Sequence, residues 1–184
     1  MCRPSNSRSV MKGRAGRCAA VAAALLVTAL GACGRADAAR DAVPPIGNAR
    51  DARSADPCTL PDAEQLATLG ISTPGASTTA PDGRRCEWRV TPETGPELGI
   101  TLFVGGGGLG TLAANSEPTT SRVRLAGYPA LETFTGTGEF CQYDVGVAPD
   151  QVLMASLVGG SPDSCSALQA VLPDVVRNLP ALDS

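Results

Sequence analysis

The chain has 184 residues, 43% apolar and 3% aromatic, with a formal net charge of −3 and no histidine. A chain of this size can bury one core, and its acidic balance offers nothing to the phosphates of a nucleic acid. The missing histidine removes the usual general base, the commonest zinc ligand and every Ser–His or Cys–His nucleophile pair.

Residues 1–32 read as an export signal. Arg3, Arg8, Lys12, Arg14 and Arg17 hold the leading end on the cytoplasmic side, and the apolar run over 19–30 is too short to span a bilayer. Met11 is an alternative start to Met1. The run ends at Leu30-Gly31-Ala32-Cys33, small residues before a cysteine whose thiol is the expected acceptor of a diacylglyceryl group. Cleavage before Cys33 then leaves a lipid-modified amino terminus carrying chains such as palmitate, and two chains give stable anchoring. Ala36-Asp37-Ala38 is a rival cleavage site that would release a soluble secreted product; the lipid anchor at Cys33 is favoured. Five of the 15 basic residues precede Cys33, so the remaining ten face all 18 acidic ones, a net charge of −8.

Residues 33–55 read as a flexible tether, rich in Ala, Arg and Asp, and residues 56–184 as the folded domain. Pro61, Asp62 and Glu64 open a helix over 61–69 that Gly70 stops. Residues 72–83, with Pro74-Gly75 and Pro81-Asp82-Gly83, read as a loop. Alternation of period two predicts strands around 85–90, 98–104, 122–125, 130–135, 141–147 and 151–158. Gly127-Tyr128-Pro129 reads as a turn that starts a strand, and Gly136-Thr137-Gly138 and Ala148-Pro149-Asp150 as hairpin turns. Leu168, Val171, Leu172, Val175, Val176 and Leu179 recur at helical spacing behind Pro162 and Asp163, and Pro173 is expected to kink or split that helix.

Four cysteines, Cys58, Cys86, Cys141 and Cys165, fall inside the domain and permit three pairings. Locality favours Cys58 with Cys86 and Cys141 with Cys165, each tying a helix end to a strand. They lack Cys-x-x-Cys spacing, which speaks against thiol exchange and a zinc knot, so neither metal nor cofactor is expected. Gly105 to Gly108, with Gly110 beyond, follows a strand without the lysine of a phosphate loop and reads as a flexible loop. Trp88 shares the inward face of Cys86 and is expected to pack on its bridge; Tyr128 is weighed as a binding residue and not adopted. Glu132, Glu139 and Asp144 lie on neighbouring predicted strands and are the only carboxylates considered for glycoside chemistry.

The order Asp56-Pro57-Cys58, a helix ending Leu69-Gly70, Cys86-Glu87-Trp88, Leu125 to Ala130, Cys141, and a Cys165 helix ending Asn178-Leu179-Pro180 resembles an actinobacterial lipoprotein family, the domain of unknown function 3558 family. Leu60-Pro61 departs from the Leu-Leu-Thr type of helix entry expected there. The resemblance implies the anchor and the cysteine framework and offers no catalytic residue. A looser likeness to extracytoplasmic sensor domains with two disulfides is one of fold alone.

The expected molecule is a single α+β domain: an antiparallel sheet of about six strands with helices near both ends packed on one face, and two disulfides. Its expected place is the extracytoplasmic face of the cell membrane. Its expected role is non-enzymatic binding of a small molecule or envelope protein, with no nucleic acid. The alternatives are a carboxylate-dependent envelope hydrolase and a structural accessory subunit.

Overall fold

The structure is a computed structural model that describes residues 43–81, 83–90, 95–135, 139–159 and 163–182. The signal, Cys33, the first part of the tether and the turn at Gly136-Thr137-Gly138 lie outside the described residues.

One antiparallel sheet of seven strands organises the domain, in the order β1-β2-β3-β7-β6-β5-β4. The strands are β1 (Ala76–Ala80), β2 (Gly83–Arg89), β3 (Glu97–Val104), β4 (Thr120–Leu125), β5 (Tyr128–Phe134), β6 (Phe140–Ala148) and β7 (Gln151–Val158). The helices are α1 (Ala63–Thr68), α2 (Gly108–Ala114) and α3 (Ser164–Arg177), with a 3-10 turn at Pro57–Thr59. Two meanders, β1 to β3 and β4 to β7, meet where β3 pairs with β7, and α2 carries the chain between them.

Period-two alternation assigns the two faces. Cys86, Trp88, Leu98, Ile100, Leu102, Leu153, Ala155, Leu157, Cys141, Tyr143 and Val145 point to one face and form the main core with Leu168, Val171, Leu172, Val175 and Val176 of α3. Those α3 positions follow helical spacing, Asp163 caps the helix by accepting from the Ser166 N–H, and the 3-10 turn and α1 lie on the same face. The expected placing of both terminal helices on one face is therefore observed. Pro173 does not split α3, which runs unbroken to Arg177. The carbonyl that Pro173 leaves without an amide donor belongs to Gln169, which is exposed.

Three readings of the sequence are corrected. β1 occupies part of the expected loop; its Ala-Ser-Thr-Thr-Ala run carries no apolar alternation because it is an exposed edge strand, held by its ladder to β2. The glycine run leads into α2 and is not all loop. The turn before β5 is Ala126-Gly127, with φ of 50° and 88°, so Tyr128 and Pro129 already belong to the strand.

The domain also begins before residue 56. Arg50 bridges Ala181, the Arg50 amide donates to Val147 O at 2.8 Å and the Asp51 amide to Pro180 O at 2.8 Å. Ala52 is fully buried, and Tyr128 Oη donates to Asn48 O at 2.5 Å. From Val43 onward the stretch expected to be a free tether is a strap that ties the entering chain to the departing one.

Both disulfides pair as locality suggested, Cys58–Cys86 and Cys141–Cys165. Each joins a first-face strand to a helical element outside the sheet. Trp88 packs beside the first bridge, and Gly75 lies so close over both that a Cβ there would sit 2.5 Å from Cys86 Sγ. The bridges span 28 and 24 residues, so loop entropy assigns each about 3.5 kcal/mol. Replacing either pair by serines is expected to lower unfolding free energy by about that amount, and by similar amounts for the two pairs. Urea denaturation of the oxidised proteins checks this, and a loss well below 1 kcal/mol for either pair would contradict it.

Candidate functional site

Among the described residues, the second face of the sheet is covered only in part. Across its middle run Arg122, Leu131, Asp144, Met154, Thr101 and Arg85, one from each strand from β4 to β2. One row towards the open end lie Thr120, Thr133, Gln142, Ser156, Gly99 and Glu87. One row the other way, Pro129, Gly146, Val152 and Phe103 form the seat of α2.

The seat is small and close. Leu109 and Ala113 of α2 pack with Leu131 and Val152 in a satellite core that Val43, Phe103 and Leu112 border. Gly105 to Gly108 all have positive φ, a left-handed turn that brings α2 down onto the hairpin between β6 and β7. The Gly105 amide donates to Asp150 O at 2.7 Å, and a Cβ on Gly108 would stand 2.2 Å from Pro149 O.

Because α2 is short, it leaves clefts on both flanks. One of about 330 Å³ is lined by Val43, Pro44, Leu109, Ala113, Leu131 and, at one end, Arg122 and Arg124. A second of about 440 Å³ shares Val43, Pro44 and Leu109 and continues past Pro45 and Ile46 to Ala148 and Pro149. On the other flank a cleft of about 290 Å³ runs between Phe103, Val104, Leu112 and the glycine turn. The first two form a trough with an apolar floor and a basic end, within the size range of small-ligand sites, roughly 300–1,000 Å³.

The carboxylates considered for glycoside chemistry are not brought together. Glu132 lies on the first-face side of β5 and accepts from Tyr143 Oη at 2.8 Å, whereas Asp144 lies on the opposite face of the sheet. Glu139 sits exposed where β6 begins. Burial, and then Glu132 as acceptor, push the Tyr143 phenol well above its ordinary range. No group of three or more His, Cys, Asp and Glu side chains suited to a metal occurs among the described residues. Tyr128 is buried, with its hydroxyl turned to the strap.

The family model described as protein of unknown function (DUF3558) matches residues 28–178. The chain belongs to that family. No curated protein and no solved structure matches the chain. The DUF3558 match spans both disulfides, α2 and all the strands that carry the trough.

Sequence reasoning found the glycine run but not its use. The signal available was the apolar spacing of Leu109, Leu112 and Ala113 behind it, which five glycines between 105 and 110 outweigh on propensity alone.

Asp144 is the buried acid of this DUF3558 face. Leu131 and Met154 are its cross-strand neighbours, and Gln142 Nε2 donates to both carboxylate oxygens at 3.1 Å. Burial raises its pKa, and the Gln142 bond opposes this only in part. The folded state therefore holds the proton to higher pH than the unfolded chain, and stability falls as pH rises through that window. Asp144→Asn is expected to be more stable than the wild type near neutral pH, with the gain shrinking on acidification below the ordinary carboxylate range. Urea midpoints at about pH 7 and about pH 3 check this; an Asn variant with no gain at the higher pH would contradict it.

Proposed function

We propose that the protein is a lipid-anchored, extracytoplasmic binding module of the cell envelope, without catalytic activity of its own. The observation that carries the reading is the pairing of all four domain cysteines, since such bridges persist in oxidising compartments outside the cytoplasm. The basic start, the short apolar run and Leu30-Gly31-Ala32-Cys33 support export with an acyl anchor on Cys33, and the family match, which begins at residue 28, takes in the last of these. The trough beside α2 supports the binding half of the reading, as a concave apolar site with polar groups at one end.

Mass spectrometry of the membrane fraction, with and without reduction, tests anchor and bridges together. The expected product begins at Cys33, carries a diacylglyceryl thioether and gains four hydrogens on reduction, two for each bridge. Cys33→Ala is expected to move the protein out of the membrane fraction. A cytosolic chain that retains its leader and has four free thiols in the domain would overturn the proposal.

A further inference from the structure

The trough has a polarity along its length. Its floor is aliphatic, from Leu131 and Leu109 to Pro149, and its basic character is confined to the end at Arg122 and Arg124. Those two arginines stand on one face of the edge strand β4, two residues apart, in an exported chain whose net charge is −8. A guanidinium has five N–H donors, and Arg124 gives one of its own to Gly127 O at 2.7 Å. We infer that the trough binds a single-chain amphiphilic anion, an alkyl carboxylate or alkyl phosphate, with the chain along Leu109 and Leu131 and the head at Arg122 and Arg124. This rests on the binding-module reading and names its ligand class.

Two features favour this occupant over a neutral or cationic one. An apolar floor from Leu131 and Leu109 to Pro149 suits an alkyl chain, whose burial is driven by area and needs no directional partner. A guanidinium pair at one end selects a carboxylate or phosphate through charge-assisted hydrogen bonds and disfavours an ammonium head. The entry of the chain adds a third. Val43 lines both parts of the trough, and the ten residues back to Cys33 reach at most roughly 35 Å fully extended, so the proposed anchor keeps the trough close to a lipid surface.

The test is photolabelling of the full chain in its own membranes with diazirine-bearing dodecanoate, dodecyl phosphate and dodecyltrimethylammonium, with labelled residues mapped by mass spectrometry. Saturable labelling within residues 109–131 is expected from at least one anionic probe, displaced by plain dodecanoate, with the cation labelling at least about tenfold less. Which anion labels better distinguishes carboxylate from phosphate. Ala113→Trp, which fills the trough, is expected to abolish the labelling. Arg122→Glu with Arg124→Glu, both at exposed positions, is expected to reverse the charge preference while both disulfides remain intact. Labelling indifferent to head charge, labelling spread over the surface, or full labelling of the Ala113→Trp protein would overturn the proposal. The same spectra report Cys33: charge-selective labelling on an unacylated chain supports the ligand class and removes the anchor, and an acylated chain without labelling does the opposite.

Discussion

A seven-stranded sheet has two faces to cover, and among the described residues a long helix with an apolar face covers only one of them. The first face receives the five buried aliphatic residues of α3, the 3-10 turn, α1, the strap from Ile46 to Ala55 and both disulfides, and it holds nearly all the large buried side chains. The second receives a seven-residue helix that buries Leu109 and Ala113. Every distinctive feature of the second face follows from that inequality: clefts on both flanks of α2, polar rows beyond its reach, and one carboxylate between Leu131 and Met154.

The first face must then be held firmly with few aromatic side chains. Trp88 is the only tryptophan, and it packs beside a disulfide with the bare backbone of Gly75 close over both. The strap is joined to the segment after α3 and to β2 over the same face. Arg50 reaches Leu179 O at 3.0 Å, Leu182 N donates to Ala49 O at 3.0 Å, and Arg84 donates to the carbonyls of Ala52 and Arg53. Like the two bridges, these bonds restrain stretches that have little apolar area of their own to bury, where conformational entropy would otherwise dominate.

What the sequence made legible was the part governed by periodicity and cysteine spacing. The central strands β3, β6 and β7 alternate because one of their faces is core, and the aliphatic positions of α3 recur because they all meet that face. The cysteines pair locally because strand and helix ends that neighbour in sequence also neighbour across the core edge. Elements whose stability comes from partners were not legible. β1 is Ser and Thr on an exposed edge, the strap is held by hydrogen bonds to Val147, Pro180 and Gln151, and α2 has too few apolar residues to stand out from its glycines. Nor does any local pattern place Glu132 and Asp144 on opposite sides of the sheet; that depends on the register of β5 against β6.

The glycines at the seat of α2 also decide where open volume lies. A side chain on Gly108 would collide with Pro149 O, and one on Gly146 would come within 3.1 Å of Leu109, so the helix sits low, almost on the backbone of the sheet. A helix set down so closely leaves no layer beneath it, and the unfilled volume is displaced to its sides. The clefts therefore lie alongside α2, between the helix and the strap on one flank and against Phe103 and Val104 on the other. Only the strap flank is lined by arginines, and only there do Val43 and Pro44 form part of the wall. The two flanks are thus chemically distinct although one helix creates both, and the low seat of that helix is the cause of each.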